Sequence, residues 1–419
     1  MISLYHPFYY GNIYHILVDR FSGDNQSLET KENSNQFLGG TLKGITSRMN
    51  YLKELGCSTI FLSPIYKNHA IVTEYMPYHG YHIIDFNDVD PRFGTKNDFK
   101  QLCKVAHQNN ISILLDIVPN HVSCYHPWVE EAMKGIRTER FRWYSDGNPM
   151  HFLGYNELWK VNHNDTEVKQ SLLNAFLEFY ELGADDFRID HAIGIPNSFF
   201  KEVRKVLQEK AKELKRRVPL LIGEVWFGGC ERRILQTIET PMKGLLWWLS
   251  KIGFDGICQE LAQMMYIPIL DGVLDIRGCM LIRDYLSGKG RFKYVPEFLF
   301  KFLLWLRKWL YPRNFLGGLF VDNHDMDRIM FMMNGDVNKV KHALKFISND
   351  DGPMYIYYGT EVGMSQVASK ETIGDIAMRA PMMWSLIELP KPPELFDFIQ
   401  TTWKERNTRA KRFIKEKDE

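Results

Sequence analysis

The chain has 419 residues, 45% of them hydrophobic, with a formal net charge of +1. That length suits two or three small domains, or one α/β barrel with insertions. The near-zero charge gives no reason to expect nucleic acid or a membrane as partner. The six cysteines (Cys57, Cys103, Cys124, Cys230, Cys258, Cys279) show no C-x-x-C spacing. Buried free thiols in a reducing compartment are therefore expected, rather than disulfides or a metal site. Residues 1–10 lack a basic start followed by an apolar run, so no signal peptide is expected and the protein is placed in the cytoplasm.

Short β-branched or aromatic runs alternate with stretches of helical period. Ile13–Asp19 reads as a strand and Leu42–Leu55 as a helix that Gly56 ends. Ser58–Ser63 is a strand, Lys96–Gln108 a helix and Ser112–Asp116 a strand. Residues 122–163 then carry Pro, Gly, Asn and aromatics without period. Alternation resumes with a helix at Glu167–Leu182, a strand at Asp185–Asp190, a helix at Phe199–Arg217 and a strand at Pro219–Glu224. Later strands are predicted at Gly272–Ile276, Gly318–Asp322 and Pro353–Tyr357. Later helices are predicted at Pro296–Leu310, Val337–Phe346 and Glu394–Arg406.

Eight strands, each followed by a helical stretch, predict a (β/α)8 TIM barrel. The barrel is expected over 1–121 and 164–410. Residues 122–163 would form a small inserted lid after the third strand, 226–270 an irregular insertion after the fifth, and 411–419 a solvated basic tail. The most apolar stretch, Phe298–Leu310, is interrupted by Lys301, Arg307 and Lys308. It is too short and too charged to span a bilayer. A helix packed on a core is the favoured reading, ahead of a membrane-surface helix.

Chemistry in such a barrel sits at the C-terminal ends of the strands. Asp116 closes Ile-Leu-Leu-Asp, Asp190 closes Phe-Arg-Ile-Asp, Glu224 closes Leu-Ile-Gly-Glu, and Asp325 closes Phe-Val-Asp-Asn-His-Asp. One Asp after a strand is usually a helix cap. Four carboxylates at equivalent ends would repel one another unless something used or neutralised them. Arg188 lies two residues before Asp190, so strand period puts both on one face, where Arg188 can keep Asp190 ionised. Two carboxyl groups suffice to hydrolyse a glycoside, one as nucleophile and one as acid/base. A third can stabilise the cationic transition state. His121, His191 and His324 near strand ends leave a metal-dependent hydrolase as a rival, although no His-x-His or His-Glu-x-x-His motif occurs.

Four short motifs in order resemble the α-amylase family of glycoside hydrolases: Asp-Ile-Val-Pro-Asn-His (116–121), Phe-Arg-Ile-Asp (187–190), Ile-Gly-Glu-Val-Trp (222–226) and Phe-Val-Asp-Asn-His-Asp (320–325). Flanking stretches are similar too, at 13–21, 39–45, 78–81, 90–95, 357–361 and 379–385, so the likeness covers roughly 12–407. The resemblance implies a retaining hydrolase of α-1,4-glucosidic bonds in α-glucans or maltooligosaccharides. It implies Asp190 as nucleophile, Glu224 as acid/base and Asp325 as transition-state stabiliser. Arg188 would orient Asp190, Tyr81 would stack on the sugar that is cut, and His121 and His324 would bind its hydroxyls. Asp116 and Asn120 would be structural. The alternatives that remain are glycosyl transfer or trehalose-type isomerisation on the same site, and a non-catalytic barrel. The retained carboxylates argue against the last.

Four positions depart from the family pattern. A Lys-His pair often follows the nucleophile by three and four residues, where this chain has Ile193 and Gly194. Asp186 stands where Gly is usual. Lys160 stands where calcium-binding members supply an Asp, and an ammonium beside Asn120 would repel a cation. No cofactor is therefore expected to be required, and no calcium at that position. The β-sandwich that usually follows the barrel is not expected either.

Overall fold

The computed structural model describes residues 11–24, 28, 33–70, 77–227, 238–239, 242–288, 294–391 and 393–418. The described strands are β1 (Asn12–Ile16), β2 (Thr59–Leu62), β3 (Tyr66–Asn68), β4 (Ile83–Val89), β5 (Ser112–Ile117), β6 (His121–Ser123), β7 (Leu158–Lys160), β8 (Asp186–Ile189), β9 (Leu221–Gly223), β10 (Gly272–Leu274), β11 (Leu316–Gly318) and β12 (Met354–Tyr357). The chain divides into two compact units: 1–62 with 104–113 and 274–419, and 63–103 with 114–273.

In the first unit β1 lies between β2 and β12, both parallel to it. Every residue of β1 is buried. A parallel strand covered on both faces reads as a nearly continuous apolar run, which is why Ile13–Ile16 was legible. The start of β5 belongs here, the Ser112 amide donating to the Ser58 carbonyl at 3.0 Å. The Asp275 amide likewise donates to the Gly318 carbonyl at 2.8 Å, and Leu319 bridges to Met354 in parallel. In the second unit β5, β8, β9 and β10 pair in parallel in that order. Through the chain the hydrogen-bonded order is β11-β10-β9-β8-β5-β2-β1-β12. The Leu319–Met354 bridge joins its two ends, giving the expected (β/α)8 barrel.

The predicted helix Leu42–Leu55 is two helices, Leu42–Ser47 and Met49–Leu55, because Arg48 leaves helical geometry. Gly56 ends the second at φ 97°, the left-handed conformation that favours glycine. The strand predicted at Gly318–Asp322 sits earlier, at Leu316–Gly318. Asp322 instead accepts hydrogen bonds from the Ile329 amide and the Thr360 hydroxyl, which ties the chain into a turn. Asp325 is therefore seven residues past its strand, and Asp116 lies one residue inside its own.

The aperiodic 122–163 stretch holds the helix Pro127–Met133 and β7, which pairs antiparallel with β6. Three-residue strands are too short to leave a periodic signal. The antiparallel β3–β4 pair was not predicted either, although β4 is seven residues long. The insertion at 226–270 is less irregular than expected, since it contains the helices Lys243–Lys251 and Asp255–Met264. The last helix, Glu394–Asp418, runs on through residues expected to be a frayed tail. Cys57, Cys103, Cys124, Cys258 and Cys279 are free thiols, and Cys230 lies outside the described residues. Among the described residues no helix is long and apolar enough to cross a membrane.

The helix expected over Pro296–Leu310 forms at Glu297–Lys308, but its packing differs from expectation. Only Phe300 is buried on it, stacked on Tyr285 at 4.1 Å and edge-on to Phe346 at 5.5 Å. Phe298, Leu299, Phe302, Leu303, Trp305 and Leu306 are exposed, and Leu304 is half-buried. Helical period identifies an apolar face, but both sides of this helix are apolar, so the pattern could not show which side would be covered.

Asp186 has a structural reason. Buried at the start of β8, it accepts two hydrogen bonds from Arg217, at 2.6 and 2.7 Å, and one from the Leu220 amide at 2.8 Å. It thereby ties the segment leading into β9 to β8.

Arg406 closes the first unit. Its guanidinium donates to the carbonyls of Ser348, Asp350 and Gly352 and to the Asn12 side chain, at 2.6 to 3.1 Å. Replacing it leaves buried acceptors unpaired, each costing about 1–3 kcal/mol. Arg406→Met should lower unfolding free energy in urea by about 2–4 kcal/mol; a loss under about 0.5 kcal/mol would refute the clasp.

Candidate active site

In the second unit, strand register assembles an acidic site. Asp116 of β5 stands opposite Arg188 of β8, and Arg188 stands opposite Ile222 of β9. Ile189 stands opposite Gly223, so the next residues, Asp190 and Glu224, emerge side by side. The side-chain period of two keeps Arg188 and Asp190 on one face, as the sequence implied.

The Arg188 guanidinium links all three carboxylates. Its Nη1 donates to both oxygens of Asp116 and to Asp190 Oδ1, each at 2.8 Å. Its Nη2 lies 2.9 Å from Glu224 Oε1. Asp190 and Glu224 are thus held on two nitrogens of one planar fork. Asp190 Oδ2 is buried with no hydrogen-bond partner among the described residues. Such a group usually has a functional explanation. Glu224 Oε2 accepts from the His191 amide at 3.1 Å. His191 presents that amide from a left-handed backbone, φ 43°, which is uncommon for a residue with a side chain. The sequence pointed to His191 only through its ring, as a candidate metal ligand, and not through its amide.

One positive charge faces three acidic groups here. Burial pushes Asp116 up to about 7 despite Arg188. Burial also raises Asp190 well above the usual carboxylate range; Arg188 opposes this, and Glu224 and Asp116 add to it. Contact with the guanidinium favours the charged form of each carboxyl, and burial and their mutual repulsion oppose it.

Tyr81 donates from its hydroxyl to Asp116 Oδ2 at 2.8 Å. His121 is buried beside Asn120, with 3.3 Å between its Nδ1 and the amide nitrogen. Burial lowers His121 to about 3 and lowers His191 as well, so both rings are neutral near pH 7. The Nε2 atoms of both lack partners among the described residues. Neutral imidazoles can donate to or accept from sugar hydroxyls.

Lys160 lies where the sequence placed it. Its buried ammonium donates to the Gly194 carbonyl at 2.5 Å and to Asn120 Oδ1 at 3.4 Å. These two oxygens are already taken by a cation of the protein's own, so the donor set does not fit a calcium ion. Gly194 leaves no room for a side chain: a Cβ would stand 2.4 Å from Asn120 Oδ1 and 2.6 Å from a His191 ring carbon. The departure at 194 therefore has a packing cause.

The first unit carries a second polar group. Asp325 Oδ2 lies 3.0 Å from His324 Nε2, and its Oδ1 accepts from Arg379 at 3.1 Å. Arg379 also donates to the His324 carbonyl at 2.9 Å, and Lys370 donates to the Asp325 carbonyl at 3.0 Å. The sequence reading gave Arg379 no role, although it opens a stretch noted as similar to the family. Of the residues chosen from sequence, Asp116, Arg188, Asp190, Glu224 and Tyr81 form one connected set. His121 and Asn120 are neighbours of each other in the same unit, and His324 and Asp325 form a separate set in the other unit.

A parallel barrel with carboxylates delivered by adjacent strand ends defines the scaffold, and comparison with known proteins specifies the family. The family model for the α-amylase catalytic domain matches residues 15–215 and 283–409. The chain belongs to the α-amylase family. Alpha-amylase 2 of Dictyoglomus thermophilum is 30% identical over 94% of this chain and 63% of its own. A cyclomaltodextrinase of a Bacillus species is 28% identical over 89% and 60%. The chain thus spans about six tenths of the length of these curated relatives. The α-amylase of Geobacillus thermoleovorans, solved with acarbose, superposes with a TM-score of 0.70 at 26% identity, over 95% of this chain and 79% of that one.

Burial brings Lys160 from an ordinary 10.5 down to about 7. Between those values the unfolded chain holds a proton that the folded chain lacks, so stability should rise with pH. Urea unfolding at several pH values should show this rise above about pH 7. Lys160→Met should flatten it, and an equal slope in the variant would refute the assignment.

Proposed function

We propose that the chain hydrolyses α-1,4-glucosidic bonds of maltooligosaccharides or α-glucans with retention of configuration. The observation that supports this most is the pairing of Asp190 and Glu224 on one guanidinium, with Asp190 Oδ2 left unpartnered. Retaining enzymes need two carboxyl groups about 5–5.5 Å apart, and adjacent nitrogens of one fork suit that spacing.

In this reading Asp190 Oδ2 attacks the anomeric carbon as the glycosidic C–O bond breaks. Glu224 gives its proton to the departing oxygen. Water then attacks the same carbon, Glu224 takes the water's proton, and the bond to Asp190 breaks. Asp325 stabilises the cationic transition state, with Arg379 and His324 fixing its carboxylate. Tyr81 stacks on the sugar that is cut, and His121 and His324 bind its hydroxyls. Asp116 anchors Arg188. Buried free thiols fit a reducing compartment, so the cytoplasm is the proposed location.

Maltoheptaose digestion tests the reading. Shorter products are expected; products longer than the substrate would show transfer to sugar instead. Asp190→Asn should lower kcat by about a thousandfold or more in a chain that remains folded at the assay temperature. Glu224→Gln should slow maltoheptaose strongly but spare the first step on an aryl glucoside whose leaving group needs no proton. Substantial glucan turnover by Asp190→Asn would overturn the assignment.

No calcium is proposed between Asn120 and Gly194, since Lys160 occupies both oxygens. Excess chelator should leave turnover and the unfolding midpoint unchanged. Loss of either on chelation, with recovery on adding calcium, would refute this.

A further inference from the structure

Two imidazoles of the candidate site share one aromatic ring. Phe152 lies against His121, with ring centres 4.7 Å apart and planes inclined by 31°. It meets His191 edge-on, also at 4.7 Å. Rings prefer offset and edge-to-face arrangements of this kind.

A braced turn places that ring. The Met150 amide donates to the Arg142 carbonyl at 2.8 Å, and the Lys160 amide to the Met150 carbonyl at 2.9 Å. His151 bridges to Trp159. Phe152 comes next, at the head of a turn in which Leu153 has φ 46° and ψ 23°. Left-handed backbone is uncommon at a leucine. It persists where the surroundings enforce it, and such positions cluster at functional sites. Tyr155 stacks on Phe152 at 6.2 Å.

His191 is held as closely. Its ring packs against Gly194, where a Cβ would stand 2.6 Å from a ring carbon and 3.0 Å from Nε2. A side chain at 194 and this imidazole therefore exclude each other. A buried histidine is more often a core residue than a ligand contact, but hydrogen bonding decides against that here. His121 and His191 are 1% and 4% exposed, and Nε2 of each is buried with no partner among the described residues. A packing residue gains nothing from an unmade hydrogen bond, whereas a ligand hydroxyl completes it. His191 also follows Asp190 in the chain and holds Glu224 through its amide. Its side chain thus starts beside both groups of the reaction.

We propose that His191 binds sugar hydroxyls alongside His121, and that Phe152 is the positioning residue that fixes both rings for that task. This rests on the hydrolytic reading above. It gives the inserted segment a part in the reaction without requiring Phe152 to touch sugar.

Steady-state kinetics on maltoheptaose test it. In His191→Asn the new residue accepts left-handed backbone and keeps the amide on Glu224, but the ring is lost. KM should rise about tenfold with kcat little changed, as when a hydroxyl contact present throughout the reaction is removed. Phe152→Leu should lower kcat/KM about tenfold, and Phe152→Tyr, which keeps the ring, should stay within about threefold of the parent. The Phe152→Leu, His191→Asn double variant should lose clearly less than the roughly hundredfold that independent effects would multiply to, because Phe152 acts partly through the ring already removed. An unchanged KM in His191→Asn overturns the proposal. So do losses that multiply in full, or a Tyr variant as impaired as the Leu variant. A parent chain that neither cleaves nor binds maltoheptaose overturns the hydrolytic reading and this proposal together; an active parent with unaffected variants overturns this proposal alone.

Discussion

The candidate site depends on one guanidinium shared by three carboxyl groups. Arg188 is 1% exposed, so its charge and those of its partners are removed from water at considerable cost. Mutual attraction and good geometry offset that cost only while the set is complete. Removing one partner of a buried pair typically costs about 3–5 kcal/mol, because the other charge is left buried and uncompensated. The fold therefore has to keep β5, β8 and β9 in register. A slip of one residue would turn Arg188 to the other face and separate it from Asp116, Asp190 and Glu224.

The same contacts set the chemistry. Asp190 touches Arg188 through one oxygen and keeps the other unpartnered, while Glu224 is held by Arg188 and by the His191 amide. Two carboxyls in one apolar setting are thus given different surroundings, which is how acid and nucleophile roles are separated on a single scaffold. Asp325 has its own supports in Arg379 and His324.

Much of this was legible because strands buried on both faces write themselves as apolar runs. Ile-Leu-Leu, Phe-Arg-Ile and Leu-Ile-Gly stand out, each followed by an acid, and period two alone places Arg188 with Asp190. What was not legible depends on partners distant in sequence. Asp186 is accounted for only by Arg217, 31 residues away in sequence, which clasps it. Leu316–Gly318 is a strand because it pairs with β10, and the more β-branched Phe320–Val321 lies outside it. Arg379 acts through a contact 54 residues away in sequence. The helix Glu297–Lys308 forms as expected but packs on the core through Phe300 alone, since composition records apolarity and not cover.

Gly194 limits how the site could be altered. Its missing side chain is space already used by Asn120 and His191, while its carbonyl is engaged by Lys160. An imidazole introduced at 194 would have to push aside the loop that carries the His191 amide, and with it the support of Glu224. Grafting a Lys-His pair onto this scaffold to gain grip on the departing sugar would first require rebuilding the floor beneath it, Lys160 included.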